Sequence, residues 1–315
     1  MIRSSFKAAL GSAAAILLAS APAFGQEAAC QTVRFSDVGW TDITATTATA
    51  SVVLEALGYE PDVQVLSVPV TYRSLQNNDI DVFLGNWMPT MEADIAPYRE
   101  DGSVEVVGVN LEGAKYTLAV PKYTHEAGLQ EFADISEFKD QLGGNIYGIE
   151  PGNDGNRLIL DMIENDTFGL GSFELVESSE QGMLSAVARA VRGKEHIVFL
   201  GWEPHPMNSN FDLAYLEGGD EVFGPNLGGA TVHTNVRAGY LEECPNVGKL
   251  LQNLEFTLEM ENQIMGAILD EGTEPNEAAR NWLQQNPDVL DSWLEGVTTF
   301  DGGDAEAAVN EALGA

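Results

Sequence analysis

Short apolar runs rich in β-branched residues alternate along the chain with longer runs in which apolar residues recur at a helical spacing. In the first half, strands are predicted at TVRF, VQVLSVP, IDVFLGN, VEVVG and AKYTLAVP, and helices at TATTATASVVLEALGY, TYRSLQNND and TMEADIAPYRED. This alternation is typical of βαβ units, which place helices on the faces of a mainly parallel sheet. The pattern therefore predicts an α/β fold.

A second series of the same kind follows the first. Strands are predicted at NIYGIE, FELVESS, HIVFLGW and GGATVHTNVR, and helices at ADISEFKDQL, DGNRLILDMIEND and EQGMLSAVARAVRG. The chain is then almost entirely helical, through NVGKLLQNLEFTLEMENQIMGAIL and NEAARNWLQQNPDVLDSWLEG, and its tail predicts one short, loosely held helix. Trp282 and Trp293 lie within these helical patterns, which indicates core positions.

Two successive α/β series with a return to helices indicate two lobes joined by more than one crossover. The candidate crossovers are residues 112–115 and 223–229, which both contain glycine and could act as hinges. We therefore expect residues 26–113 and 225–315 to form one lobe, and residues 114–224 to form the other.

The N-terminus has the features of a secretory signal peptide. Arg3 and Lys7 precede an apolar run over residues 8–19, and Ala23 and Gly25 supply the small residues of a cleavage site. The apolar run is too short for a stable membrane span, although an N-terminal anchor is the alternative. We predict a signal peptide over residues 1–25 and an exported, soluble mature protein.

The charge of the chain is strongly negative, with 15 Lys and Arg against 49 Asp and Glu and a formal net charge of −34. Nucleic acids and anionic membrane surfaces both require positive charge, so neither is an expected partner. A cationic ligand is compatible with this charge, but solubility in a salty exterior is the simpler explanation, because a uniform excess of charge says little about any one site.

The chain contains two cysteines, Cys30 and Cys244. Exported proteins meet an oxidising compartment, where an isolated pair predicts a disulfide rather than a metal or catalytic site. Two free buried thiols are the alternative.

Three tryptophans, Trp40, Trp87 and Trp202, each follow a predicted strand. A single Trp at such a position is ordinarily a packing residue. Ligands of open α/β sheets, however, bind beyond the carboxyl ends of strands, so rings from both series are expected to face one cleft. Aromatic rings around a cavity attract quaternary ammonium ions, which cannot donate conventional hydrogen bonds. Tyr116, beside a predicted crossover, is the expected fourth ring.

Motifs of catalysis or cofactor binding are not found in the sequence. The glycine-rich GGNIYGIEPGNDGN has neither the Lys-Ser/Thr of a P-loop nor the spacing of a dinucleotide site. The four histidines do not pair at metal-binding spacing, and His205 lies nearest the predicted cleft. No nucleophile with a base is evident, so we expect neither an enzyme nor a cofactor or metal.

Several segments together resemble the periplasmic choline-binding proteins of bacterial ABC transporters, within the glycine betaine/proline betaine binding family. They are DVGWTD, FLGNWMPTME, NLEGAKYTLAVPKY, GIEPGNDGNRLI, FLGWEPHPMN and NPDVLDSWLEGVTT, and they span nearly the whole mature chain. The resemblance implies a two-lobed periplasmic binding protein fold (type II) with the ligand cleft between the lobes. It also implies a periplasmic monomer that closes over its ligand and delivers it to a membrane permease.

The resemblance further implies the roles of individual residues. In the choline-binding members an Asp binds the choline hydroxyl and an Asn assists, and Asp42 and Asn153 match them. The family also has a disulfide that matches Cys30–Cys244. The trimethylammonium group sits in a box of three Trp and one Tyr, and the matching residues are Trp40, Trp87, Tyr116 and Trp202.

Asp42 favours choline over betaine, because a carboxylate suits a hydroxyl donor and a positive charge but repels the carboxylate of betaine. A helix starting at PGNDGN could still offer amide donors to betaine. Asp42 and Asn153 could also be plain helix caps. A glycine betaine or carnitine receptor therefore stays the alternative, acetylcholine is a further candidate ligand, and an exported enzyme acting on choline esters is the rival from another class.

Overall fold

The computed structural model describes Met1 and residues 29–314. Apart from Met1, the predicted signal peptide lies outside the described residues. Within residues 29–314, no helix combines the length and apolarity that a membrane span requires.

The described strands form one mixed sheet. They are β1 (Thr32–Asp37), β2 (Glu60–Val65), β3 (Val82–Met88), β4 (Val104–Pro121), β5 (Asn145–Tyr147), β6 (Glu174–Val176), β7 (Phe199–Glu203), β8 (Leu213–Tyr215) and β9 (Gly229–Arg237). Their order is β2-β1-β3-β9-β4-β7-β5-β6, with β8 also paired to β4. Both flanks are parallel, whereas β3, β9, β4 and β7 pair antiparallel. The prediction of a mainly parallel sheet is therefore wrong at its centre.

Strand β4 runs through the stretch predicted as a crossover. The sequence predicted two strands here, but one strand spans them, with register shifts against β9 between Leu111 and Ala114. The neighbours of β4 change at Lys115, which pairs with Gly229 of β9 on one side and Glu203 of β7 on the other. The lobe limits at residues 113/114 and 224/225 stay a prediction.

Nine helices of nine residues or more are described: α1 (Thr41–Ala56), α2 (Val68–Gln76), α3 (Glu92–Glu100), α4 (Asp154–Glu164), α5 (Glu180–Gly193), α6 (Pro245–Asn253), α7 (Leu258–Leu269), α8 (Pro275–Gln285) and α9 (Ala305–Leu313). Shorter helical turns are Lys122–Glu126, Phe132–Phe138, Thr167–Gly169, Met207–Asn210, Asp220–Phe223, Pro225–Gly228, Tyr240–Glu243 and Val289–Trp293. The predicted VQVLSVP strand is wrong at its end, because Val68 and Pro69 begin α2, and proline suits the first turn of a helix.

Helix α1 lies in the core of the fold. Its Thr- and Ala-rich sequence is buried along most of its length, since small side chains allow close packing against α7 and α8. Trp293 is fully buried, as predicted, but Trp282 is half-buried and donates to Gln263 at the surface. Helix α9 is not loosely held, because it buries Ala305, Val309 and Leu313.

The predicted disulfide between Cys30 and Cys244 is confirmed, with 5.6 Å between the two Cα atoms. It joins Cys30, two residues before the start of β1, to Cys244, the residue that precedes α6. The bond ties together segments 214 residues apart in sequence.

Candidate functional site

Five of the six predicted ligand residues line one cavity. Trp40 follows β1, Trp87 lies near the end of β3, and Tyr116 and Trp202 are cross-strand partners on β4 and β7. Asp42 enters from the first turn of α1. The lining is completed by residues that the sequence did not indicate, so that the full set is Trp40, Asp42, Trp87, Tyr116, Ile149, Asp154 and Trp202.

Three of the four aromatic rings that line the cavity form a connected group centred on Tyr116, and Trp40 lines the cavity without a ring contact to them. The ring centroid of Tyr116 lies 6.0 Å from that of Trp87 and 6.3 Å from that of Trp202, with interplanar angles of 59° and 85°. Phe223 packs edge-on against Tyr116 from another side at 5.9 Å. Rings at steep angles present faces in different directions, which is the arrangement that surrounds a rounded cation.

Polar partners hold the tryptophan side chains in place. Trp40 Nε1 donates to Glu150 Oε1 at 2.7 Å, and Trp87 Nε1 donates to Asp42 Oδ2 at 3.0 Å. The Trp202 ring packs edge-on against His205, with 4.8 Å between centroids. The indole orientations are therefore set by the protein before a ligand arrives.

Asp42 has one carboxylate oxygen free for a ligand. The residue is 1% exposed, and among residues 29–314 Oδ1 has no hydrogen-bond partner. Burial and the nearby Glu180 raise the pKa of Asp42 to about 8, against the lowering effect of the Trp87 hydrogen bond. A donor or cation at Oδ1 would stabilise the charged carboxylate.

Asn153 is the predicted residue that the structure does not bring into the lining. It caps α4, since its Oδ1 accepts the amide of Asn156 at 2.6 Å, which is the alternative that its sequence position left open. Its Nδ2 is buried and lacks a hydrogen-bond partner in the described part of the chain.

Asp154, the neighbour of Asn153, lines the cavity instead. Its side chain is fully buried, and within the described ranges neither carboxylate oxygen has a hydrogen-bond partner of normal geometry. Burial raises the pKa of Asp154 to about 6, and the nearby Thr90 hydroxyl opposes the rise. The segment PGNDGN indicated that this region lies near the cleft. Whether Asn153 or Asp154 faces the cavity depends on where α4 begins.

Glu180 and His205 form a buried hydrogen-bonded pair next to residues that line the cavity. Glu180 accepts from the amide of Thr41 at 2.8 Å and from its hydroxyl at 2.5 Å. His205 Nδ1 accepts the amide of Met207, so Nε2 carries the proton and donates to Glu180 at 3.2 Å. Nothing in the sequence indicated Glu180, whose partner Thr41 is 139 residues away.

The site has no feature of a metal centre. Within the described part of the chain, no group of three or more His, Cys, Asp and Glu side chains is arranged to hold a metal ion. The arrangement of rings and carboxylates is suited to binding an organic cation.

Solved structures with known ligands resemble the chain closely. A structure described as an ABC-transporter choline binding protein in complex with choline is 70% identical, covers 91% of this chain and 99% of that chain, and has a TM-score of 0.90. A lactococcal protein in its closed-liganded conformation with glycine betaine is 27% identical, covers 84% and 99%, and has a TM-score of 0.76. The two-lobed fold predicted from the sequence is thereby confirmed.

The sequence relatives include a transport binding protein as well. A glycine betaine/carnitine transport binding protein of Listeria monocytogenes is 32% identical over 163 residues, which are 52% of this chain and 53% of that protein. An uncharacterized protein of Chromohalobacter salexigens is 60% identical over 136 residues, 43% of this chain and 86% of that protein. The family model for the substrate binding domain of the ABC-type glycine betaine transport system matches residues 31–285. The chain thus belongs to this family of transport proteins, which bind a substrate and do not convert it.

Proposed function

We propose that this chain captures choline in the periplasm and delivers it to the permease of an ABC importer. The observation that carries the proposal is the cavity lined by four aromatic rings and the free Oδ1 of Asp42. The trimethylammonium group would be attracted to the rings, each contributing about 0.5–2 kcal/mol. The choline hydroxyl would donate to Asp42. The 70% identity to a choline-bound relative supports this choice.

The walls of the cavity come from both predicted lobes. Trp40, Asp42 and Trp87 belong to the lobe of residues 26–113 and 225–315, whereas Tyr116 and Trp202 belong to residues 114–224. Closure of these lobes, in a monomer, would bury the ligand on all sides. Asn153 stays a proposed ligand contact, because its buried Nδ2 is a donor without a partner in the described residues.

A glycine betaine or carnitine receptor is the second candidate, favoured by the family and by the Listeria relative. The composition of the cavity opposes it. Among its described lining residues two are carboxylates and none is Lys or Arg, so a ligand carboxylate would meet negative charge. Acetylcholine keeps the cation but lacks the hydroxyl donor, and we expect it to bind more weakly than choline.

Calorimetric titration of the mature protein with choline, acetylcholine, glycine betaine and carnitine tests the proposal. We expect choline to bind most tightly and glycine betaine to bind about tenfold or more weakly. A tenfold difference in Kd corresponds to roughly 1.4 kcal/mol of binding free energy. Glycine betaine binding tenfold more tightly than choline would overturn the role of Asp42 and favour the second candidate.

A further inference from the structure

Besides Asp42, a second buried carboxylate lines the aromatic cavity. Asp154 is the first residue of α4, is 0% exposed, and has two carboxylate oxygens for which the described residues supply no hydrogen bond of normal geometry, although the Thr90 hydroxyl lies nearby. A buried charge is unfavourable unless a cation or a donor completes its surroundings. Because the Asp154 side chain lines the cavity, a group that enters the cavity is the natural complement.

The protein cation that lowers the pKa of Asp154 is engaged elsewhere. Arg157, one turn along α4, donates from Nη2 to Asp94 Oδ2 at 2.8 Å and to the Thr90 carbonyl at 2.9 Å. Thr90 in turn donates its hydroxyl to the Trp87 carbonyl at 3.3 Å. Asp94 therefore has the direct ion pair with Arg157, and Asp154 is left without one.

Helix capping does not account for Asp154 either. The helix dipole favours an acidic residue in the first turn of a helix. An exposed side chain at this position would gain the same stabilisation, so the dipole does not explain why Asp154 is buried. The cap of α4 is Asn153, which accepts the Asn156 amide. The amide of Gly155 is directed to the Tyr116 hydroxyl, and a Cβ at Gly155 would lie 2.0 Å from that oxygen. These amides have acceptors other than Asp154.

We propose that Asp154 is a specificity-determining residue, whose carboxylate faces the ammonium group of the ligand and selects cationic quaternary ammonium compounds over zwitterionic or neutral compounds of similar shape. This inference rests on the proposed function. The rings attract a trimethylammonium group in choline and in glycine betaine alike, so they discriminate poorly between the two. A carboxylate in the wall discriminates by net charge, because a zwitterion brings its own carboxylate into the same cavity.

The surroundings of Asp154 are predominantly acidic. The titratable and charged groups that face it are Asp42 on α1, Tyr72 on α2, Asp94 on α3, Tyr116 on β4, Glu150 before α4 and Arg157 on α4. Burial raises the pKa of Asp154 to about 6. Protons therefore compete with a cationic ligand as the pH falls through this value.

Calorimetry on matched variants tests the inference with three ligands. They are choline, glycine betaine and dimethylbutanol, the neutral isostere in which carbon replaces the quaternary nitrogen. We expect Asp154→Asn to lower choline affinity by about tenfold or more, to change dimethylbutanol affinity less than about twofold, and to leave glycine betaine unchanged or tighter. Asp161→Asn, an exposed position on the same helix, is the control for total charge and should change none of the three.

An equal loss for all three ligands would identify Asp154 as a structural residue, and unchanged choline affinity would remove it from selection; either result overturns the inference. Choline affinity of the unaltered protein should also fall as the pH is lowered through about 6, and Asp154→Asn should flatten this profile. Parallel profiles would contradict the role. Asp154→Ser supplies a second neutral side chain if the Asn variant does not fold. Failure of the unaltered protein to bind choline would instead overturn the proposed function.

Discussion

At the scale of single residues, Trp87 has two roles in the cavity. Its ring is one wall, and its indole N–H holds Asp42 at 3.0 Å. We predict that Trp87→Ala weakens choline binding by about tenfold or more, because a ring contributes about 0.5–2 kcal/mol and the Asp42 contact is lost as well. Trp87→Phe keeps a ring without the N–H and should fall between Ala and the unaltered protein, as measured by calorimetry.

The control for this prediction is Trp282→Ala. Trp282 is half-buried on α8, outside the lining of the cavity. Its replacement by Ala should therefore leave choline affinity unchanged. An unchanged affinity in Trp87→Ala, with circular dichroism showing a folded protein, would remove Trp87 from the site.

The residues of the cavity were predictable to different degrees. Trp40, Trp87 and Trp202 could be identified because each lies close to the end of a strand, and strand exits converge in an α/β fold. Asn153 and Asp154 are adjacent and similar in character, so only the start of α4 determines which one lines the cavity. Glu180 could not be identified at all, since its role depends on tertiary contacts rather than on a local pattern.

At the scale of elements, the start of α1 is held by acids from the other predicted lobe. Glu180, in the first turn of α5, accepts two hydrogen bonds from Thr41, and Glu150, before α4, accepts one from Trp40. These contacts join the two sides of the cavity directly. They therefore favour the closed arrangement in which the aromatic walls meet.

We predict that Glu180→Gln lowers choline affinity by about tenfold, because hydrogen bonds to a charged acceptor are roughly twice as strong as those to a neutral one. The hydrogen bond that His205 donates to Glu180 should weaken as well, and His205 is the residue against which the Trp202 ring packs. Calorimetry measures the effect, and Glu174→Gln, an exposed position on β6, is the matched control. Equal affinities in the two variants would show that Glu180 does not stabilise the closed site.

Element prediction succeeded where local signals agreed. The predicted helix EQGMLSAVARAVRG matches α5 over Glu180–Gly193, because an amphipathic run follows Ser179, whose Oγ accepts the Gly182 amide at 3.1 Å. It failed where tertiary pairing decided the outcome. Strand β4 continues past Gly113 because β9 pairs with it on both sides of that glycine, which the sequence of β4 alone does not reveal.

At the scale of the whole molecule, two α/β halves and the disulfide were predictable, whereas the antiparallel centre of the sheet was not. Alternating runs of strand and helix are visible in one chain read in order. The partner of each strand is not visible in this way, since β9 inserts between β3 and β4 from more than a hundred residues downstream. Strand β9 thus joins the two parallel flanks into one mixed sheet, because it pairs antiparallel with both β3 and β4.

The buried carboxylates Asp42 and Asp154 of the cavity, with the half-buried Glu150 beside it, predict opposite pH trends for stability and for ligand binding. Burial raises the pKa of Asp42 to about 8, of Glu150 to about 7 and of Asp154 to about 6. The native state therefore holds protons that the unfolded state releases near pH 4, so the contribution of these groups to the free energy of unfolding falls as the pH rises from about 4 to about 8. Choline favours the charged carboxylates, so its affinity should rise over the same interval.

Thermal unfolding with and without choline measures both trends in one experiment. The melting temperature of the ligand-free protein should decrease from about pH 5 to about pH 8, while the increase produced by saturating choline should become larger. Repulsion among the many surface acids contributes to the first trend, and added salt screens it, because the screening length at 0.1 M is about 10 Å. Buried groups are screened much less, so the growing effect of choline should persist in salt. A choline-induced shift that is the same at both pH values would show that these carboxylates do not face the ligand.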